Sequence, residues 1–380
     1  MSSRSVVTKG GRIFTSLCAL ALALAAWPSV PATVRAHGGH GGGGGRPRWR
    51  VLAPVTYKNL TLFPVAADGL GPAPSDNNYI TLDEGLRGGT VVVAERGAGR
   101  VVRTRRGVRR RVSDDATVNQ LVLINRSGKK LLLLAGEVVV GGKQDRIVEE
   151  DLIVPAISVP VSLNVFCVEP GRWNARGGGG EQAHHGGRPV AAAPAPIQNF
   201  STLGAISHPK LRAAAQHSKD QDEVWKEVRS NNAKLGTTNS TETYQEVYAN
   251  REVESRVEDY VAELRKAGAA ANVVGVVVAR NGEFVWVDAF ASRALFARYW
   301  PKLLKSYVID AIGDRASERV PGVAQAEQYL RESGGAATAS GREGVYRLTK
   351  TTHEQYAVFR LEDLSLPAPL QLHFNKMQKQ

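Results

Sequence analysis

Hydrophobic and polar positions change period part-way along the chain. From about residue 57 the pattern is strand-like. Leu60-Thr61-Leu62-Phe63-Pro64-Val65 reads as one strand, and segments 90–95, 118–125, 130–135 and 153–168 supply more. Thr81-Leu82-Asp83-Glu84 predicts a capped helix start, with Gly88-Gly89 as its stop. Asn125-Arg126-Ser127-Gly128 is a turn signal, so the strands on either side of it are expected to form a hairpin. Residues 174–196, rich in Gly, Ala, Pro and His, read as a long loop.

Beyond that loop the period lengthens. Segments 222–235 and 251–267 predict amphipathic helices, and Val257, Tyr260, Val261 and Leu264 line one face of the second. Segments 273–279 and 283–287 flank Asn281-Gly282, the strongest hairpin signal in the chain. Segment 290–312 predicts a helix stopped by Gly313, with Pro301 either starting a fresh turn or kinking it. Segments 345–348 and 355–361 predict a closing strand pair. Strands come first, then helices mixed with hairpins, and no repeat of fixed period is present. The pattern therefore predicts an α+β fold, β-rich in its N-terminal half, packed as one large domain over 57–375.

The first residues belong to a different class of segment. Arg4, Lys9 and Arg12 precede an apolar core at 13–27, and Val34-Arg35-Ala36 has the small-x-small form of a cleavage site. Residues 1–36 thus predict a secretory signal peptide and an exported product, periplasmic or extracellular. Four cations and no acid lie in that stretch, so cleavage lowers the formal charge from +13 by four to +9. Cys18 leaves as well, which makes Cys167 the lone cysteine of the mature chain and rules out an intramolecular disulfide there. Residues 37–56, beginning His37-Gly38-Gly39-His40, read as a flexible Gly/His-rich arm. No later stretch is apolar enough to cross a bilayer.

Several chemistries find no support. The chain has no Walker-type glycine loop, Rossmann fingerprint, Gly-x-Ser-x-Gly elbow, His-Glu-x-x-His or Cys-x-x-Cys. His184-His185 sit in a glycine-rich loop, where neighbouring imidazoles seldom converge on one ion, so no metal site is assigned. Arg103, Arg105, Arg106, Arg109, Arg110 and Arg111 surround Gly107 and read as a charged strand–turn–strand tip. Such a tip suits an acidic polymer or a solvated sheet edge, and without interleaved aromatics it does not suit base-specific nucleic-acid recognition.

The densest candidate site is Gly141-Gly142-Lys143-Gln144-Asp145-Arg146, preceded by Gly136-Glu137 and followed by Cys167-Val168-Glu169 with Arg172-Trp173. Paired glycines at strand ends permit close approach of the backbone to a ligand, and the donors that follow suit an anion. Glu137 and Glu169 are the candidate catalytic acid and base, or members of a structural ion-pair network. Lys143, Gln144, Arg146, Arg172 and Trp173 are the candidate ligand contacts, with the same structural alternative. Glu137, Lys143, Gln144, Arg146, Glu169 and Arg172 are expected to face one pocket. Cys167, beside an acid and after an apolar run, is expected to be a buried strand residue rather than a nucleophile.

Together with Gln221, Val224-Trp225, Val287-Asp288-Ala289-Phe290 and Trp300-Pro301-Lys302-Leu303-Leu304, these motifs resemble the ARG and rhodanese-phosphatase-superfamily-associated protein domain, where ARG stands for ADP-ribosylglycohydrolase. The likeness covers roughly residues 57–315. What it implies, by association alone, is a hydrolase-type activity or a ligand related to ADP-ribose or phosphate; no cofactor follows. Two classes of function stay open. One is an exported enzyme or binder of an anionic small molecule, whose polar residues converge on a cavity. The other is an exported non-catalytic binding or scaffold protein with a basic surface, whose polar residues pair off internally.

Overall fold

A computed structural model describes residues 48–68, 76–95, 102–103, 109–110, 119–142, 144–171, 200–315, 317 and 319–379. The expected signal peptide, most of the arm and the loop at 174–196 lie outside the described residues. The architecture is α+β, as the hydrophobic pattern implies.

The largest sheet joins the two ends of the described chain. Its antiparallel order is Arg48–Val51, Leu60–Asp68, Val273–Arg280, Glu283–Phe290, Leu370–Gln378, Tyr356–Asp363, Tyr346–Thr352, Ala336–Arg342, with Val55–Tyr57 also paired to 60–68. Strand 60–68 is buried along nearly its whole length, so its apolar residues run on without a polar alternation. It lies against 273–280, with Leu60 opposite Arg280 and Val65 opposite Gly275. The Asn281-Gly282 turn closes the expected hairpin, and both residues take positive φ. Strand 48–51, ahead of the expected domain start at 57, pairs with strand 60–68. In Arg48-Trp49-Arg50-Val51 the two arginines mask an alternation whose apolar members join the core, and Trp49 meets Phe374 edge-on at 5.1 Å.

A second antiparallel sheet runs Ser201–Ile206, Glu137–Val140, Arg146–Val148, Val161–Cys167, Gln120–Asn125, Val91–Glu95. A third, of three strands, has the order Leu152–Val154, Lys130–Leu133, Tyr79–Thr81, the last pair being parallel. Two expectations fail here. Segment 153–168 is two strands in different sheets, split at Pro155 and Pro160, residues that cannot donate to a ladder. The hairpin expected at 125–128 does not form either: strand 120–125 pairs with 161–167 and 91–95, while 130–133 pairs with 152–154 and 79–81. Buried Asn125 decides this. Its amide donates to the carbonyls of Lys129 and Pro155, and its carbonyl oxygen accepts from Ser127, so the turn is tied to a neighbouring loop and sends the chain into another sheet. The arginine tip does form a short ladder, Val102–Arg103 against Arg109–Arg110; Arg105, Arg106 and Arg111 lie outside the described residues.

Helix Leu82–Arg87 carries the predicted capping box, with Thr81 and Glu84 bonded reciprocally. Helices Gln221–Leu235 and Arg251–Leu264 stand close to where the period places them. Helix Arg293–Ala311 is the keystone, packing against strand 273–280 of the large sheet and strand 201–206 of the second. It starts at the Ser292 cap rather than at Phe290, which ends a strand, and it runs through Pro301. Buried residues on both sides of Pro301, from Tyr299 to Leu304, hold the helix together across it: packing overrides local propensity. No helix among the described residues is long and apolar enough to cross a membrane.

Candidate functional site

The sequence-predicted site is interior. Glu137, Gln144, Arg146 and Glu169 are only 1%, 4%, 2% and 3% exposed. Glu169 accepts the backbone N–H of Asp145 at 2.9 Å. Asp145 in turn accepts from the Gly141 backbone at 3.1 Å and from the Thr243 hydroxyl at 3.2 Å. Arg146 has its pKa lowered by burial, against the pull of the nearby Glu95, Glu169 and Asp145 carboxylates. The 141–146 turn is therefore stapled from within. Lys143, Arg172 and Trp173 lie outside the described residues, so the structure does not place them beside the others.

Cys167 is buried in strand 161–167, and burial raises its thiol above the usual range despite Arg146 nearby. Gln221 clasps its backbone from both sides, accepting from its N–H at 3.0 Å and donating to its carbonyl at 2.9 Å. A helix residue thus stands in for a missing neighbouring strand.

Glu137 belongs to a separate cluster. The Lys302 ammonium from helix 293–311 bonds both Glu137 and, at 2.8 Å, Asp83. Glu137 also accepts the Leu134 N–H at 2.9 Å. Thr202 hydrogen-bonds Asp83, and Lys302 lies 4.6 Å over the Tyr299 ring. One cation thus serves two carboxylates. Glu137, the deeper one, is pushed up by burial and by the Asp83 charge, whereas Asp83 is drawn below its usual value by Lys302. Burial works against the Lys302 charge, and the two acids more than offset it.

A third cluster lies outside the sequence-predicted site residues. Asp288 is fully buried and accepts from five residues. Arg212 forks onto it at 2.9 and 3.1 Å. Trp286 donates at 2.9 Å, Asn375 at 3.0 Å and His373 Nε2 at 3.0 Å, and the Tyr307 hydroxyl completes the shell. The other His373 nitrogen meets Asp151 at 2.6 Å, and Asp151 holds the Ala135 N–H at 2.7 Å. Burial disfavours the imidazolium, but Asp151 and Asp288 outweigh it and raise His373 to about 9. Burial likewise opposes ionised Asp288, yet Arg212 and His373 hold it well below the usual carboxylate range.

Gly136 stands between these clusters at φ +84°, and a Cβ there would come within 2.5 Å of Arg212 Cγ and Ser207 Oγ. The close approach that its spacing suggested is made to Arg212 rather than to a ligand. Gly136→Ala is expected to cost about 2–3 kcal/mol, combining left-handed strain with overpacking. Chemical denaturation checks this, and a loss within experimental error contradicts it.

Open space lies elsewhere. A cleft of about 610 Å³ is bounded by Lys210, His217, Glu223, Lys226, Glu227 and Lys379, among others. One wall is a π-helical turn, Ala214–Ser218, that ends in left-handed Lys219; such turns are frequent at functional sites. His217 has a buried Nδ1 with no hydrogen-bond partner among the described residues. Burial and the charges of Lys350 and Lys379 lower its pKa to about 4, so the ring is neutral near pH 7. On the other wall Glu227 meets His208 Nε2 at 2.9 Å, and the opposite nitrogen of that ring meets the Tyr244 hydroxyl at 2.8 Å. Nothing in the sequence motifs pointed to this cleft, because its residues are scattered over 210–227 and 377–379. Among the described residues no group of three or more His, Cys, Asp or Glu is arranged to hold a metal ion.

A model of the ARG and Rhodanese-Phosphatase-superfamily-associated Protein domain matches residues 48–363. The chain belongs to this family. No curated protein and no solved structure matches it. In this member of the family, several of the positions that carry the resemblance are interior devices: Gln221 secures the Cys167 backbone, Asp288 anchors the buried donors, and Lys302 joins two acids.

Proposed function

We propose that this protein is an exported binder of an anionic small molecule, and that its site is the cleft beside the 214–218 turn rather than the 137–146 motif. The supporting observation is the lining of the cleft, where Lys210, Lys226 and Lys379 outnumber Glu223 and Glu227, with Lys350 behind it. Lys350 donates to the His217 carbonyl at 2.9 Å, and its pKa is lowered by burial and by Lys219 and Lys379. His217 feels Lys350 and Lys379, and Lys350 feels Lys379 and Lys219, the last of these itself paired with Glu149 and Glu150. The carboxylates of the cleft are otherwise engaged, Glu223 with Lys226 and Glu227 with His208. A bound anion would relieve that repulsion and reach the donors of Lys210 and Lys379. A phosphate-bearing molecule fits both this charge pattern and the phosphatase association in the family's description. Export rests on the N-terminal pattern. The arginine-rich sequence from Arg103 to Arg111 is, on charge grounds alone, a second candidate for acidic polymers, in a salt-sensitive way.

Glu137 and Glu169, buried and bonded internally, favour a structural role over acid–base chemistry at the motif. Thermal-shift measurements with inorganic phosphate, ADP-ribose and nucleoside diphosphates test the reading. A ligand present at about a hundredfold its Kd should add about 2.7 kcal/mol of stability. The shift should shrink in Lys210→Ala and Lys379→Ala. No shift with any of these compounds, or full shifts in both variants, overturns the assignment.

A further inference from the structure

We propose that loop 155–160 is a prong that docks this protein on a lipid surface bearing anionic headgroups. Ile157 and Val159 are 78% and 72% exposed, far more than the other large hydrophobics of the described residues. Ile157 is also held in the left-handed region at φ 49°. A β-branched residue is a genuine outlier there, where Gly or Asn would sit without strain. The strain is imposed by the surroundings: the Ile157 N–H donates to Ser127 at 3.1 Å, the Ser158 N–H donates to Asn125 at 2.7 Å, and the Asn125 amide holds Pro155 at 2.9 Å. The fold therefore spends conformational energy to point an aliphatic side chain at solvent, which places the reason for Ile157 outside the molecule.

The neighbouring loop indicates what waits there. Those hydrogen bonds lay loop 155–160 against residues 125–129, where Arg126 and Lys129 are exposed and no acid occurs in either loop. The whole chain carries +13, or +9 without residues 1–36. Two aliphatic tips flanked by cations match the acyl–headgroup boundary of an anionic bilayer. A protein partner would call for a broad patch with aromatic anchors, and loop 155–160 contains no aromatic residue. The proposal is independent of the cleft, because it needs no soluble ligand.

Flotation with vesicles of phosphatidylcholine alone, and of phosphatidylcholine mixed with phosphatidylglycerol, tests it. The protein should float with the mixed vesicles at low salt, bind far less to the zwitterionic ones, and be released by added salt. Ile157→Asn combined with Val159→Ser should weaken binding about tenfold or more, as expected for withdrawing two aliphatic side chains from the acyl boundary. The same variant should melt at an unchanged or higher temperature. Arg126→Gln with Lys129→Gln should reduce the preference for phosphatidylglycerol. Absence of flotation by the unaltered protein overturns the proposal. So does equal binding by the Ile157/Val159 variant, which would reduce the effect to adsorption of a basic protein. A lower melting temperature in that variant overturns it too, because it would make the tip a structural contact.

Discussion

Asp288→Ala should destabilise the protein by about 3–5 kcal/mol, because breaking a buried pair leaves its partner charge uncompensated. The Arg212 guanidinium, fully buried and forked onto Asp288, would lose its paired charge, keeping its bond to the Ala135 carbonyl and its place 4.6 Å from the Trp286 ring. His373, Trp286, Tyr307 and Asn375 would each lose an acceptor they cannot replace with water. Asp288→Asn keeps the shape while removing the charge, and should fall between the two. Urea unfolding of the three proteins decides the matter; a loss under about 1 kcal/mol for Asp288→Ala, no more than an ordinary hydrogen bond, would show that the cluster is not holding the sheets together.

The same cluster sets a pH window. His373 is raised to about 9 in the folded state from an ordinary 6.5. Its contribution is thus fully present below about 6.5 and disappears as pH rises through about 9, a change on the order of 3 kcal/mol. Asp288 is shifted the opposite way, so its contribution is present above the ordinary carboxylate range and is lost as pH falls toward its depressed folded value. Unfolding free energy should therefore be highest in mildly acidic solution and decline on the alkaline side. His373→Asn should flatten the alkaline limb.

What could be read from the chain, and what could not, divides along physical lines. The capped helix at 82–87, the Asn-Gly hairpin at 281–282 and the helices at 221–235 and 251–264 follow from local rules: caps, turn chemistry and the 3.6-residue period. The failures are non-local. The Asn125–Ser127 turn looks like a hairpin because that signal spans four residues, whereas its outcome is fixed by a bond to Pro155, thirty positions away. The 137–146 motif reads as a site because glycines and donors cluster there; of its residues, Glu137, Gln144 and Arg146 are buried and Lys143 lies outside the described residues. Such clusters equally serve a buried join between sheets, and only three-dimensional partners such as Lys302 and Arg212 tell the two apart. Asp288 and Lys302 stood inside the motifs that carried the family resemblance, so part of the signal was visible. His373, a partner of Asp288, comes from a strand at the far end of the chain that no sequence pattern marks. The cleft at His217 was the least legible feature, since a set of lysines spread over two segments has no spacing that distinguishes it from a solvated face.

Lys302→Met should be as damaging as loss of Asp288, again about 3–5 kcal/mol, but for the opposite reason: it strands two acids instead of one base. Met matches the length of the aliphatic stem, so packing against Tyr299 is kept and the change reports on charge. Without the ammonium, Glu137, at 1% exposure, would be forced to the neutral form, and Asp83 would keep Thr202, the Arg87 charge and the partial charges near its helix start. Glu137 is already pushed upward in the intact protein, which shows where relief is available. Lys302→Met combined with Glu137→Gln removes one stranded acid along with the cation and should recover a substantial part of the loss, a coupling of about 0.5–3 kcal/mol between touching residues. Glu137→Gln alone leaves Lys302 paired to Asp83 and should cost less than Lys302→Met. A double-mutant cycle by denaturation measures all four corners. Strict additivity would dissolve the proposed triad of Asp83, Lys302 and Glu137, and would return Glu137 to consideration as a residue kept for chemistry rather than for joining helix 293–311 to the second sheet.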